Sequence, residues 1–187
     1  GIPEEAFVIG QVSRLNEQKG HVYLIDAAPQ IIERVPNVKF VLVGDGPMRT
    51  ELEARIRDAG LEDHFILLGF RRDVAAILPQ FDIFTLPSLY EGLPNVILEA
   101  MATSLPIVAT PADGTKEAIV DKESGILVPM RNPQALADEL IRVASDAELR
   151  NQLGRAARKR VEDEFSLEGQ VNKFQNLYIQ YAENGNG

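Results

Sequence analysis

The sequence predicts a doubly wound α/β domain built on a Rossmann-like parallel sheet. Short apolar runs rich in Val, Ile, Leu and Phe alternate with longer amphipathic segments, the signature of βαβ units. Most of the runs are near-continuously apolar, as strands covered by helices on both faces must be. The length, 187 residues, suits one such domain, which buries about 70% of its unfolded surface.

Six runs read as strands: Phe7–Val12, Val38–Val43 and residues 65–68, 82–86, 107–110 and 126–128. The helical pattern over residues 21–35 gathers Leu24, Ile25, Ala28, Ile31, Ile32 and Val35 on one face, and Pro36 ends it. A helix over 49–59 follows the turn Gly44-Asp45-Gly46-Pro47 and closes on Gly60. Residues 93–102 put Leu93, Val96, Ile97, Ala100 and Met101 on one stripe. Pro94 then falls in the first turn, where its missing N–H costs nothing. Helices over Pro133–Ser145, 148–164 and 167–181 complete the pattern. The domain is expected to span residues 1–182, with 183–187 a disordered tail.

Composition narrows the function. There is no cysteine, which excludes disulfides and thiol chemistry. Nineteen basic against 28 acidic residues give a net charge of -9, which argues against a nucleic-acid partner. No apolar run reaches the length of about 18 residues that a membrane span requires. Residues 1–5 read as a linker rather than a signal peptide, so the chain is expected to begin inside a larger protein.

Ligands of such sheets bind outside the carboxyl ends of the strands, and two loops there carry the chemistry. The first is Gly10-Gln11-Val12-Ser13-Arg14-Leu15-Asn16-Glu17-Gln18-Lys19-Gly20-His21, after the first strand. It presents two cations, Arg14 and Lys19, at the end where such sheets bind ligands. The second is Pro87-Ser88-Leu89-Tyr90-Glu91-Gly92-Leu93-Pro94-Asn95-Val96-Ile97-Leu98-Glu99, after the fourth strand. It sets two carboxylates, Glu91 and Glu99, at different depths beside one helix N-terminus. That terminus offers free N–H groups and partial positive charge to an anion. A carboxylate grips a pair of sugar hydroxyls. One anion site flanked by two diol grips matches a nucleotide-sugar.

These segments resemble the retaining family 4 glycosyltransferases of the type B fold. Two carboxylates bracketing seven residues match that family's Glu motif, and Ser13-Arg14-Leu15 with Lys19-Gly20 matches its basic loop, where many relatives carry Gly at the Ser13 position. Gly44-Asp45-Gly46-Pro47, the Leu67–Val74 stretch (67–74), and the segments from Thr110 to Val120 and Ser124 to Val128 follow in the family's order. The resemblance implies the donor-binding, C-terminal half of a two-domain enzyme. A nucleoside-diphosphate sugar (UDP-, GDP- or ADP-linked) is the donor, with no cofactor and no metal. The acceptor is held by an N-terminal domain that this chain lacks, so the isolated domain is expected to be inactive.

By the same resemblance, Arg14, Lys19 and Glu91 are the catalytic residues. The donor is contacted by Gly69, Phe70, Arg71, Gly92, Leu93, Pro94, Asn95, Val96 and Glu99. Phe70 reads either as core or as a platform for the base. His21 and His64 read as helix-start or surface residues, and Glu117 as structural. The apolar bulk of Phe165, Val171, Phe174, Leu177, Tyr178 and Tyr181 suggests a surface for the other half or for self-association. A cytoplasmic location is implied, with peripheral attachment to the inner membrane left open. A non-catalytic nucleotide-binding or regulatory domain and half of a nucleotide-sugar epimerase are the competing readings.

Overall fold

The computed structural model describes residues 2–166 and, beyond them, residues 169, 171, 175 and 178–181. Six strands, β1 (Phe7–Val12), β2 (Val38–Val43), β3 (Phe65–Gly69), β4 (Ile83–Leu86), β5 (Ile107–Ala109) and β6 (Ile126–Leu127), form one sheet. Every pairing is parallel, and the order is β3-β2-β1-β4-β5-β6. The winding reverses between β1 and β4. Loops leaving those two strands therefore diverge and open a crevice at the carboxyl edge.

Helices cover both faces. The cluster on one face packs α1 (His21–Arg34), α2 (Arg49–Asp58) and α6 (Pro133–Ser145) around Ile9, Phe40 and Leu42. The other face carries α4 (Asn95–Ala102), α5 (Asp113–Ala118) and α7 (Ala147–Phe165) over Val41, Phe84 and Ile107. The short helix α3 (Val74–Ile77) runs into a 3-10 turn at Leu78–Gln80. Leu24, Ile31, Phe84 and Ile97 are wholly buried, each worth roughly 1.5–3 kcal/mol relative to exposure.

The structure departs from the sequence pattern at a few boundaries, each with a local cause. Asp82 is outside β4 because its carboxylate accepts the Val8 N–H at 2.7 Å and caps the neighbouring strand instead. α7 starts at Ala147 because Asp146 Oδ1 accepts from the Leu149 N–H at 2.9 Å. α4 starts at Asn95: Pro94 has an extended ψ of 101° and stands at the cap, not in the first turn. Leu93 thus leaves the buried stripe and is 44% exposed. Of the expected helix over 167–181, Val171, Tyr178 and Tyr181 are exposed. Leu167, Phe174, Leu177 and the 183–187 tail lie outside the described residues.

Candidate functional site

The loop after β1 is shaped by backbone contacts with the loop after β2. The Leu15 N–H donates to the Asp45 carbonyl at 3.0 Å, and the Met48 N–H donates to the Leu15 carbonyl at 3.0 Å. Gly44 has φ 138°, and a Cβ there would lie 1.9 Å from the Ser13 carbonyl oxygen. The Gly-Asp-Gly-Pro turn therefore does more than reverse the chain: its first glycine lets the two loops touch. Beyond Arg14 the chain makes a 3-10 turn, Glu17–Lys19, and enters α1 at His21.

The loop after β4 docks on that turn. The Leu89 N–H donates to the Gln18 carbonyl at 2.8 Å, and Gln18 Nε2 donates to the Tyr90 carbonyl at 2.8 Å. Lys19 Nζ then reaches Glu91 Oε1 at 2.6 Å and Oε2 at 2.8 Å. Ser88 Oγ donates to the same Oε1 at 2.6 Å. Thr110 Oγ1 on the β5 side holds the Ser88 carbonyl. The Glu91 side chain is only 5% exposed and that of Lys19 18%. Such a pair is stabilised by charge-assisted hydrogen bonds that water can barely compete for.

A cavity of about 380 Å³ opens between residues 12–14, residues 43–45 and Phe70–Arg71, within the size range of small-molecule sites. Arg14 is exposed on its rim and is in no ion pair among the described residues. Arg71 is held by Asp73 through Nε to Oδ1 at 2.8 Å and Nη2 to Oδ2 at 2.5 Å. That fork keeps the Asp73 carboxyl below its ordinary range. Val74 separates this space from a second of about 420 Å³, which Arg72 and Glu99 line.

Beneath the β1 loop, His21 is 2% exposed and its Nε2 lies 3.1 Å from Ser13 Oγ. Burial pushes its pKa down to about 4; the Asn16 backbone opposes this in part, and the nearby Lys19 charge adds to it. His21 is therefore neutral at pH 7.

The family model for glycosyl transferases group 1 matches residues 1–160. The chain belongs to the group 1 glycosyl transferases. It is 34% identical over 187 residues to the UDP-Gal:alpha-D-GlcNAc-diphosphoundecaprenol alpha-1,3-galactosyltransferase of Escherichia coli, covering 98% of this chain and 48% of that protein. Among solved structures, HepE of Anabaena in complex with UDP and glucose superposes with a TM-score of 0.84 at 29% identity, covering 95% of this chain and 48% of HepE. The crystallised C-terminal domain of the group 1 protein LpcC from Francisella tularensis superposes at 0.80 with 30% identity, covering 86% of this chain and 87% of that domain. The chain spans about half the length of the curated relatives it matches over most of its own length.

In this glycosyl transferase domain the expected site residues fall into three groups. Lys19 and Glu91 meet directly. Arg14, Phe70 and Arg71 line one cavity, and Glu99 the adjoining one. Gly92 and Leu93 are exposed on the loop after β4, Pro94 is buried at the cap of α4, Asn95 is exposed at its first position and Val96 is half-buried. Of the two readings of Phe70, the core one is excluded: the ring is 71% exposed, because Gly69 at φ 70° turns the chain outward at the end of β3. His21 starts a helix, as one of its two readings has it, and is interior rather than on the surface.

Sequence reasoning did not single out Ser88, Gln18 or Gly114. The Gly114 N–H approaches the Glu91 carbonyl at 3.4 Å, and a Cβ on Gly114 would lie 1.9 Å from the Gly92 carbonyl oxygen. α5 thus props the glutamate loop from behind. The only signal for it in the sequence is a glycine inside a short helix, where glycine is unfavourable without a packing reason.

Proposed function

We propose that this chain is the donor-binding domain of a retaining, metal-independent family 4 glycosyltransferase that moves a sugar from a nucleoside diphosphate to an acceptor. The observation that carries the reading is the meeting of Lys19 and Glu91 across the crevice where the sheet reverses. Cations and carboxylates from two strands converge where such sheets bind ligands. That HepE was crystallised with UDP and glucose supports a nucleotide-sugar as the ligand class.

In this mechanism the cavity beside Phe70 and Arg71 takes the base. Glu99, in the adjoining space, accepts from the ribose hydroxyls. Arg14 and Lys19 face the diphosphate, and Glu91 orients the sugar. As the bond from sugar to diphosphate breaks, negative charge grows on the phosphate oxygens. Fixed cations aimed there bind the transition state more tightly than the ground state. The acceptor hydroxyl attacks on the face the diphosphate leaves and passes its proton to the departing phosphate oxygen, so configuration is kept. Arg14, Lys19 and the α4 N-terminus supply the positive charge that a divalent ion supplies in other transferases.

The acceptor site belongs, in this proposal, to an N-terminal domain, and the exposed Val171, Tyr178 and Tyr181 offer apolar surface for it or for a second copy. No helix among the described residues is long and apolar enough to cross a membrane, and we assign the activity to the cytoplasm. A thermal-shift panel of UDP, GDP and ADP tests the reading. A ligand at 100 times its dissociation constant stabilises the fold by about 2.7 kcal/mol, or roughly 5–10 °C for a domain of this size. One nucleotide is expected to give that shift selectively. No shift with any of them, in a folded sample, contradicts the proposal.

A further inference from the structure

A polar side chain stands in the interior directly under the Lys19 loop, in a strand that is otherwise apolar at its buried positions. Gln11, near the carboxyl end of β1, is fully buried. Its Nε2 donates to the Lys19 carbonyl at 2.9 Å and to Ser13 Oγ at 3.2 Å. Ser13 Oγ in turn meets His21 Nε2. The amide can face only one way: turned over, its oxygen would point at the Lys19 carbonyl, one acceptor against another.

Gln11 is costly where it is. Its Oε1 is buried and accepts from no protein group among the described residues. An apolar side chain of similar volume would avoid that penalty, so stability alone does not account for a glutamine here. What the amide contributes is a restraint. It ties the last residue of the 3-10 turn to the sheet, one residue before Gly20 and two before α1. The same residue carries the ammonium that reaches Glu91. Ser13 fixes the plane of the amide and sits beside Arg14, so one buried group is linked to both ends of the cationic loop.

We infer that Gln11 is a positioning residue for donor binding, holding the Lys19 backbone so that its ammonium is aimed at the diphosphate and at Glu91. This rests on the donor site proposed above. Gln11 touches no substrate and acts through Lys19, which makes the inference separable from a general role in folding.

The test is a double-mutant cycle read by calorimetry. The probes are whichever of UDP, GDP and ADP the wild type binds most tightly, and the matching nucleoside without phosphates. Gln11→Met keeps the volume and deletes the amide. It is expected to weaken the diphosphate about tenfold and to leave the nucleoside unchanged. In a Lys19→Ala background the same substitution is expected to have no further effect, since the residue it positions is gone. Equal losses in both backgrounds, or an equal loss for the nucleoside, overturn the inference while leaving the donor site standing. Binding of no nucleotide by the folded wild type overturns the donor site itself. If Gln11→Met does not fold, Ser13→Ala, a change in the half-buried loop, takes its place. A smaller loss, again coupled to Lys19, is expected, and an uncoupled loss overturns the inference.

Discussion

Lys19 and Glu91 are 72 residues apart in sequence, yet the ammonium of one lies within 2.8 Å of both carboxylate oxygens of the other. The pair joins the loops that leave β1 and β4, with the Glu91 carboxylate nearly dry and the Lys19 ammonium partly exposed.

That relationship sets the first prediction. Lys19→Ala leaves Glu91 buried with Ser88 as its remaining side-chain partner. Breaking a buried pair from one side is far more costly than removing both charges. A loss of about 2 kcal/mol is expected, at the low end for buried charges because Lys19 keeps some contact with water. Combining Lys19→Met with Glu91→Gln is expected to restore most of the stability and none of the nucleotide affinity. Urea unfolding and calorimetry on the same samples check both halves.

His21 sets the second. Its folded pKa, about 4, lies below the ordinary 6.5, so below pH 6.5 the unfolded chain takes up the proton first. The stabilisation from a neutral ring is complete above pH 6.5 and is lost as pH falls toward 4. The full loss is about 3 kcal/mol, and about 2 kcal/mol of it is gone by pH 5. The urea midpoint of wild type is expected to fall more steeply between pH 7 and 4 than that of His21→Gln. Parallel pH profiles would contradict this assignment.

A third concerns Gly114. A methyl group there cannot fit without pushing Gly92 and Leu93 away. Gly114→Ala is expected to cost about 1–3 kcal/mol, as overpacking does. It should also weaken nucleotide-sugar binding more than nucleoside binding, since the displaced loop adjoins Glu91 and lies away from Phe70. Thermal melts and paired titrations measure the two effects.

Phe70 gives the fourth. At 71% exposure it contributes little to the core, so Phe70→Ala is expected to change stability by no more than about 0.5 kcal/mol. If its ring stacks on the base, the same change weakens the nucleoside diphosphate by roughly 2- to 10-fold, and Phe70→Tyr restores it. Unchanged affinity in Phe70→Ala would assign base recognition to the backbone alone.

The elements with strong apolar periodicity were legible in the sequence: β1, β2 and α6 have the expected bounds. The boundaries that moved are set by single polar groups, Asp82 and Asp146, whose side-chain bonds a hydropathy pattern does not register. Short pieces such as Glu17–Lys19 and Val74–Ile77 contain too few residues to show a period. At the site, Arg14, Lys19, Glu91 and Glu99 stand out because charged residues flank apolar runs at motif spacing. Their pairing was hidden, because contact across 72 residues depends on which strands become neighbours. Gln11 and the burial of His21 were hidden for a different reason: each lies within the basic-loop segment, and its importance lies in being buried, which the sequence states only as one polar letter.

The most direct measurement of the central claim is a crystal structure of the protein soaked with the nucleoside diphosphate that the thermal panel selects. The base is expected in the cavity beside Phe70 and Arg71, the ribose hydroxyls on Glu99, and the diphosphate within hydrogen-bond reach of Arg14 and Lys19. A nucleotide bound elsewhere, or one seated in the crevice with its phosphates away from both cations, would contradict that claim.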